Sequence, residues 1–536
     1  MQNGGGIQQV ELVFLLLLLF VAFFGYLAQK LRLPYPIVLV IAGTLLGFVP
    51  GIPMISLNPD VIFLVVLPPL LYSAAWLTSW REFSYNLIPI LFLAFGLVGF
   101  TVFGVAYGIH YLLPDFDWRV GFVLGAVIAP TDALAATSIA KRVGLPRAIV
   151  DVLEGESLIN DASGLLALEF GIAMVIRNDQ PTVSEGFFRL TYLIVVGIVV
   201  GLVAGWIVYR VEKYIENAPI EIAISIFIPY AVYLTANKMN ASGVLSVIAC
   251  GLFLSRKSSE FFSPTVRLQA FAVWDSLTFI LNGLVFVLIG LQLPYVLAGI
   301  HEYSMRQLLL YGALFSVFVI LLRMAWIFPG TYIARFVRSS IFHQKRVFPK
   351  ARAILVAGWT GMRGAVSLAA AIALPQMLAN GQPFAQRNLI IFLTFSVIFV
   401  TLVFQGLTLP PLVRALGFAS SPERNEEEES ARREMLQAAL AHLRESRKSQ
   451  GEKFAVVYDD LENHYEHRLH AVSEDEAEQQ GDSEKHQKHT DLIRELLAIE
   501  RRTAVHIRNE RRISDDTLRQ LEHELDLRES SPDQAV

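Results

Sequence analysis

Asp161 lies in the run Glu156-Ser157-Leu158-Ile159-Asn160-Asp161-Ala162, inside a stretch from Ile149 to Val175 that is otherwise apolar enough to cross a bilayer. A carboxylate at the centre of a spanning helix costs at least about 2.5–3.5 kcal/mol, so it is expected to face a cavity and to act there. Ser157, four residues earlier, shares its face, and Asn160 sits beside it. Carboxylate, hydroxyl, amide and unwound backbone oxygens form a donor set for a hard cation. A lone carboxylate favours a monovalent one, because most divalent sites recruit more negative ligands. The same carboxylate can hold a proton, and competition of one proton with one cation couples their movements without further machinery. The plainer alternative is a structural aspartate bonded to a neighbouring helix.

The elements that must position Asp161 are long apolar runs. The chain has 536 residues, 54% of them hydrophobic, a composition that would not stay in water as a soluble domain. About 20 apolar residues span the hydrocarbon core. Thirteen windows qualify, at about 9–29, 35–50, 60–79, 87–109, 119–140, 149–176, 188–209, 219–237, 241–255, 270–295, 307–335, 352–375 and 388–413. The second and ninth are short. The expected fold class is therefore an all-α polytopic membrane protein of about 13 transmembrane helices, followed by a helical tail.

Loop charges orient it. If the first helix starts outside, 18 basic residues fall at inward ends, among them Lys141, Arg142, Arg147, Arg210 and Arg335. Six fall at outward ends: Arg119, Arg177, Arg189, Lys238, Arg306 and Arg387. This places the N terminus outside and the tail in the cytoplasm. The first apolar run has no basic residue before it and no small-residue cleavage site, so it reads as a retained helix. The single cysteine, Cys250, excludes an internal disulfide. Up to Phe418 there are 26 basic and 19 acidic residues, a net of +7, and beyond it 18 and 29, a net of −11. Two domains are expected, 1–418 in the membrane and 419–536 as a tail.

Two windows look broken. The fifth contains Ala129-Pro130-Thr131-Asp132-Ala133, where Pro130 removes an amide donor and Thr131 and Asp132 suit the cap of a resuming half-helix. The twelfth contains Gly358-Trp359-Thr360-Gly361-Met362-Arg363-Gly364-Ala365. Unwound backbone is tolerated at membrane depth only where it is buried or lines a cavity. Corresponding breaks in two halves point to an inverted-repeat transporter with its site at the midplane. Read singly, each is only a kinked helix.

Glu156 lies on a different face from Asp161, and Arg363 is the one basic residue near the second break. The two are expected to form a buried structural ion pair, since an unpaired charge there is costly. Asp132 either caps its half-helix or contributes to the ion site. Glu154, Glu169 and Arg323 are further ionisable residues at or within membrane segments, with no transport role assigned; one reading of Arg323 is that it holds carbonyls at a helix crossing.

These residues resemble the monovalent cation:proton antiporter family, in its branch of bacterial NhaP-like and animal NHE-type sodium/proton exchangers. The resemblance covers about residues 10–415. It rests on Leu67-Pro68-Pro69-Leu70-Leu71, Pro130-Thr131-Asp132, Gly155 to Ala162, Asn282-Gly283-Leu284-Val285-Phe286 and Gly361-Met362-Arg363-Gly364-Ala365. It implies a homodimer with dimerisation helices one to three and eight to ten, a mobile core of helices four to six and eleven to thirteen, and elevator-like alternating access. It also implies Asp161 as the ion-binding aspartate, Asn160 as its partner, Glu156 and Arg363 as a structural pair, and Thr131 and Asp132 as broken-helix residues. Asn before the Asp is associated in the family with electroneutral exchange. Two departures stand out: Ser73 occupies a position where relatives often carry an acid, and Pro130 precedes Thr131-Asp132 where relatives often read Thr-Asp-Pro.

The tail is charged and mostly helical in pattern. Glu426 to Glu429 form an acidic run before a helix with Met435, Leu436, Ala439, Leu440 and Leu443 on one face. Leu492, Ile493, Leu496 and Leu497, then Leu518, Leu521 and Leu525, continue such stripes, with Ser514 as a cap of the last helix. Ala471 to Gln487 reads as a linker. Eight of eleven histidines fall here, including His464, His467 and His470, then His486 and His489. They make either a pH sensor or weak metal site, or a solvated helical surface.

The function expected is electroneutral sodium/proton antiport at a shared carboxylate in the inner or plasma membrane. The partners are Na⁺ (with Li⁺ or K⁺ as alternatives), H⁺ and lipid, without a cofactor or nucleic acid. Potassium/proton exchange is the nearest rival. A membrane ion sensor without flux is the rival of another class. A paired-aspartate protease using Asp132 and Asp161 would leave the second break and Arg363 without a use.

Overall fold

The structure, a computed structural model, describes residues 4–50, 59–114, 116–143, 145–176, 183–215, 217–300, 302–342, 350–378, 381–418, 423–450, 455–473, 496–507, 510, 521 and 525. The expected tail features at Leu492, Ile493, Ser514 and Leu518, most of the linker, and His486 and His489 lie outside these residues.

Each apolar window falls on helix. In chain order these are α1 (Gly4–Lys30), α2 (Tyr35–Gly47), α3 (Val61–Leu77), α4 (Leu87–Leu112), α5 (Trp118–Ile128), α6 (Ala133–Arg142) and α7 (Arg147–Ile176). There follow α8 (Val183–Glu212), α9 (Ala218–Lys238), α10 (Gly243–Phe261), α11 (Pro264–Ala298) and α12 (Met305–Phe342). The membrane portion ends with α13 (Ala351–Trp359), α14 (Ala365–Ile372) and α15 (Arg387–Ala415). Seven helices among the described residues are long and apolar enough to cross a bilayer, and shorter apolar ones accompany them. The protein is all-helical and multi-pass.

Local chemistry sets several boundaries. Asn217, Ser242 and Ser263 accept from Ile220, Leu245 and Val266 amides at 3.4, 3.2 and 3.3 Å, capping α9, α10 and α11. Three stretches inside longer helices widen to π-type turns: Val61–Val66, Phe92–Leu97 and Thr401–Gln405. The first has a visible cause. Pro69 has no amide to offer the Val65 carbonyl four residues earlier, and the Tyr230 hydroxyl of α9 donates to it instead, at 3.0 Å. In the second, the Ala94 carbonyl accepts from Ser163 of α7 at 2.5 Å.

Helix α7 is clamped on two sides. Leu158, Ile159 and Ala162 join one buried cluster with Tyr72, Val247 and Trp274, while Val150 and Leu168 join a larger one with Val123, Ala126 and Leu368. The outward surface of α1 carries exposed Leu12, Phe14, Leu15, Leu16 and Leu19, as a face turned to lipid or to a second copy would.

The chain divides into two compact units, Met1–Ser421 and Pro422–Val536. In the second, α16 (Glu423–Gln450) and α17 (Ala455–Ser473) pair. The acidic run Glu426–Glu429 lies inside α16 and not before it, close to the N-terminal end where the macrodipole favours negative charge. Leu436 and Leu440 are buried but Met435 is exposed, so the apolar stripe is narrower than expected.

Candidate functional site

At the first break, α5 stops at Ile128 and α6 resumes at Ala133. The freed backbone groups find partners on α7. Ser157 Oγ donates to the Thr131 carbonyl at 2.7 Å. Asn160 Nδ2 donates to Thr131 Oγ1 at 2.5 Å, and Thr131 Oγ1 in turn donates to Glu156 Oε1 at 3.3 Å. One threonine thus ties the break to three consecutive polar positions of the sixth segment.

At the second break, α13 stops at Trp359 and α14 resumes at Ala365. The two breaks touch: the Asp132 amide donates to the Met362 carbonyl at 2.8 Å. The Arg363 amide donates to Thr401 Oγ1 at 3.1 Å, in the π-type turn of α15. Glycine is required on both sides of that arginine by close approach. A Cβ at Gly361 would run into the Arg323 guanidinium, and one at Gly364 into the Asp132 carboxylate.

The ion pair is not the one expected. Glu156 is held by Arg323 of α12 in a two-pronged pair, Nη1 to Oε1 at 2.6 Å and Nη2 to Oε2 at 2.9 Å. Arg323 does hold carbonyls as well, donating to Gly358 at 3.1 Å and Ala357 at 3.2 Å. Both carboxylate oxygens take part in this fork-to-fork pair, and no hydrogen bond or ion pair joins Arg363 to Glu156 among the described residues. Arg363 is 1% exposed and donates to the Gly361 carbonyl at a long 3.4 Å, and its Nε has no hydrogen-bond partner. Glu156 and Arg323 both lie within its electrostatic reach. Arg323 is the residue whose partner the sequence reading missed. Its signal was of the same kind as that of Asp161, a charge within an apolar run, and it is the one charged residue between Arg306 and Arg335.

Asp161 has a different environment. It is 8% exposed, against 1% for Glu156 and Asn160, and no basic side chain comes within ion-pair distance of it among the described residues. Asp132, half-buried at the first break, is near enough to act on it electrostatically. Asn160 Oδ1 is buried without a hydrogen-bond partner. The structure therefore brings Thr131, Asp132, Glu156, Ser157, Asn160 and Asp161 around one crossing, with Arg363 beyond the meeting point of the breaks. Ser73, on α3, is buried at 5% exposure.

Residues 16–415 match the family described as sodium/hydrogen exchanger, transmembrane. A sodium, potassium, lithium and rubidium/H⁺ antiporter of Bacillus pumilus is 31% identical over 453 residues, covering 82% of this chain; the chain spans 66% of that protein's length. An uncharacterized Na⁺/H⁺ exchanger of Mycobacterium bovis is 34% identical over 515 residues, 94% of this chain and 92% of its own length. Among solved structures, the sodium proton antiporter MjNhaP1 of Methanocaldococcus jannaschii superposes with a TM-score of 0.60 at 19% identity, over 77% of this chain and 99% of that one. With the motifs in helical register and the two breaks in contact, this chain belongs to the sodium/hydrogen exchanger family, a family of transporters.

Proposed function

We propose that this protein exchanges one monovalent cation for one proton at Asp161, electroneutrally and by alternating access, with Na⁺ as the leading cation. The observation that carries this reading is a buried carboxylate without a basic partner, lying beside a second carboxylate and a broken backbone. Two carboxylates so placed in a low-dielectric site cannot both stay charged and empty. A proton or a cation must be present, and each excludes the other. Thr131, Ser157 and Asn160 hold the break in shape around that point, and the unpaired Asn160 Oδ1 is a further oxygen for the ion. Asp132 adds negative potential from the break. Among the described residues no cluster of three or more His, Cys, Asp or Glu comes together, which fits a monovalent cargo better than a divalent one.

In this reading Glu156 is scaffold, held by Arg323. The core helices, in two inverted repeats around the breaks, move against dimerisation helices of a homodimer in the cell membrane, with the N terminus outside and the tail inside as a regulatory part. The Bacillus pumilus relative, whose name includes potassium as well as sodium, favours a second reading in which K⁺ is also exchanged.

Proteoliposomes carrying a proton-sensitive dye test this. Adding Na⁺, Li⁺ or K⁺ to the wild type should move protons, and Asp161→Asn should abolish the signal while the protein still inserts and stays dimeric. Absence of proton movement with every cation between pH 5.5 and 9 would reject antiport in favour of an ion sensor. Movement that survives the substitution would place the site elsewhere.

A further inference from the structure

One face of α7 continues past Asp161 into open space. Leu165, Leu168 and Ile172 are four, seven and eleven residues beyond it, and at 100° per residue they fall on the same side of the helix. These residues line a cavity of about 450 Å³ together with Glu169, Phe63 of α3 and Ala373 just past α14. The three chain regions agree on a side. Phe63 lies near the start of α3, Ala373 at the end of α14, and residues 165–173 in the second half of α7, away from Arg147. By the loop-charge count, all three are outward ends. The cavity thus sits between α3, from the expected dimerisation set, and α7 and α14, from the expected core set.

Its walls are apolar with one ionisable member. Glu169 stands about 12 Å along the helix from Asp161, and its side chain is 54% exposed, so the cavity reaches the surface there. Arg189 at the start of α8 donates to Glu169 Oε1 at 3.1 Å and is itself 42% exposed. An ion pair this exposed is worth little and opens readily. We propose that this cavity is the outer access path to Asp161, and that Glu169 recruits the incoming monovalent cation at its mouth in competition with Arg189. The carboxylate concentrates cations at the entrance to an apolar passage, and the arginine keeps the mouth from becoming a binding site that would hold the ion. The ion then passes along this same face of α7, by Ile172, Leu168 and Leu165, toward Asp161.

The inference rests on cation exchange at Asp161, and the test separates the two. In right-side-out vesicles, Glu169→Gln should raise the outside cation concentration for half-maximal exchange by about 3- to 10-fold, as loss of one charge at that distance implies, with the maximal rate kept. Arg189→Gln should lower it. Ile172→Cys should react with a membrane-impermeant thiol reagent from outside, more slowly in saturating cation, and its modification should block exchange; Cys250 is buried and adds little background. If the wild type does not exchange at all, the exchange reading fails and this one with it. If it exchanges but half-saturation is indifferent to Glu169→Gln and Arg189→Gln, or Ile172→Cys is modified only from the tail side, only the access path is overturned.

Discussion

At the first break, Pro130 to Asp132, the backbone leaves its helix among oxygens: Thr131 is tied to Ser157, Asn160 and Glu156, and two carboxylates look onto the gap. At the second, Thr360 to Gly364, it leaves beside cations, with Arg323 laid across Gly361 and Arg363 next to it, and meets a carboxylate only at Gly364, where Asp132 reaches across from the first break. The breaks are joined by one backbone hydrogen bond, yet their charges are handled in opposite ways. Near the second break Arg323 is fully committed, to one carboxylate and two carbonyls. Near the first, Asp161 is committed to nothing basic. The difference separates charge that builds the crossing from charge left open for an ion that comes and goes.

The largest effect should come from the committed side. Removing one partner of a buried pair leaves the other uncompensated and costs about 3–5 kcal/mol. Arg323→Ala or Glu156→Ala should therefore lower the thermal midpoint in detergent by many degrees and reduce the amount of inserted protein. Asp161→Asn, which removes a charge without a basic partner, should leave the midpoint unchanged or raise it. If Asp161→Asn destabilises as much as Arg323→Ala, the contrast between the two breaks is wrong.

The contact between the breaks comes next. Gly364→Ala forces a methyl into the Asp132 carboxylate, and overpacking of a tight site costs about 1–3 kcal/mol. Exchange should fall further than stability does, because the shift is delivered directly to the first break; a matched loss of both would make the contact purely structural. Arg363→Met sharpens the ranking between the two arginines. With no carboxylate contact of its own, Arg363 should cost less to replace than Arg323, whose loss strands Glu156 at about 3–5 kcal/mol. Equal losses, read from paired thermal denaturation, would restore Arg363 as the principal partner of Glu156.

Much of this arrangement can be read from the chain, because a membrane makes exceptions visible. Against long apolar runs, Asp161, Arg323 and the Pro and Gly residues of the breaks are isolated departures, and both breaks fall where those departures lie. Choice of partner is harder. Arg323 and Arg363 are each plausible for Glu156 by composition, and the outcome depends on the angle at which α12 crosses α13, which no local pattern encodes. The π-type turns are similarly hidden. That at Val61–Val66 needs Pro69 to vacate a carbonyl and Tyr230, far along the chain, to fill it. In the tail, the apolar stripe that marks the helix begins only at Met435, so the Glu426–Glu429 run reads as preceding it, but the chain is already helical from Glu423.

The smallest effect is expected where the same arginine–glutamate chemistry is solvated. In the tail, Arg444 donates to Glu462 and Glu466, each at 2.5 Å, and Arg447 to Glu462 at 3.2 Å. The hydrogen bond from Arg444 holds the Glu462 carboxyl below its usual range. A carboxylate whose pKa is depressed by folding contributes stability above its unfolded value, about 4.3, and loses it as pH falls through the lower folded value. Spin labels on Ala441→Cys and Asn463→Cys in the full chain should report a narrow distance distribution at pH 7 that broadens only below about pH 4. Arg444→Gln should broaden it slightly at pH 7 and flatten the pH response, while exchange continues. If that substitution instead matched Arg323→Ala in its effect on the thermal midpoint, burial would not be what separates the strong pair from the weak one, and the contrast between the breaks would need another cause.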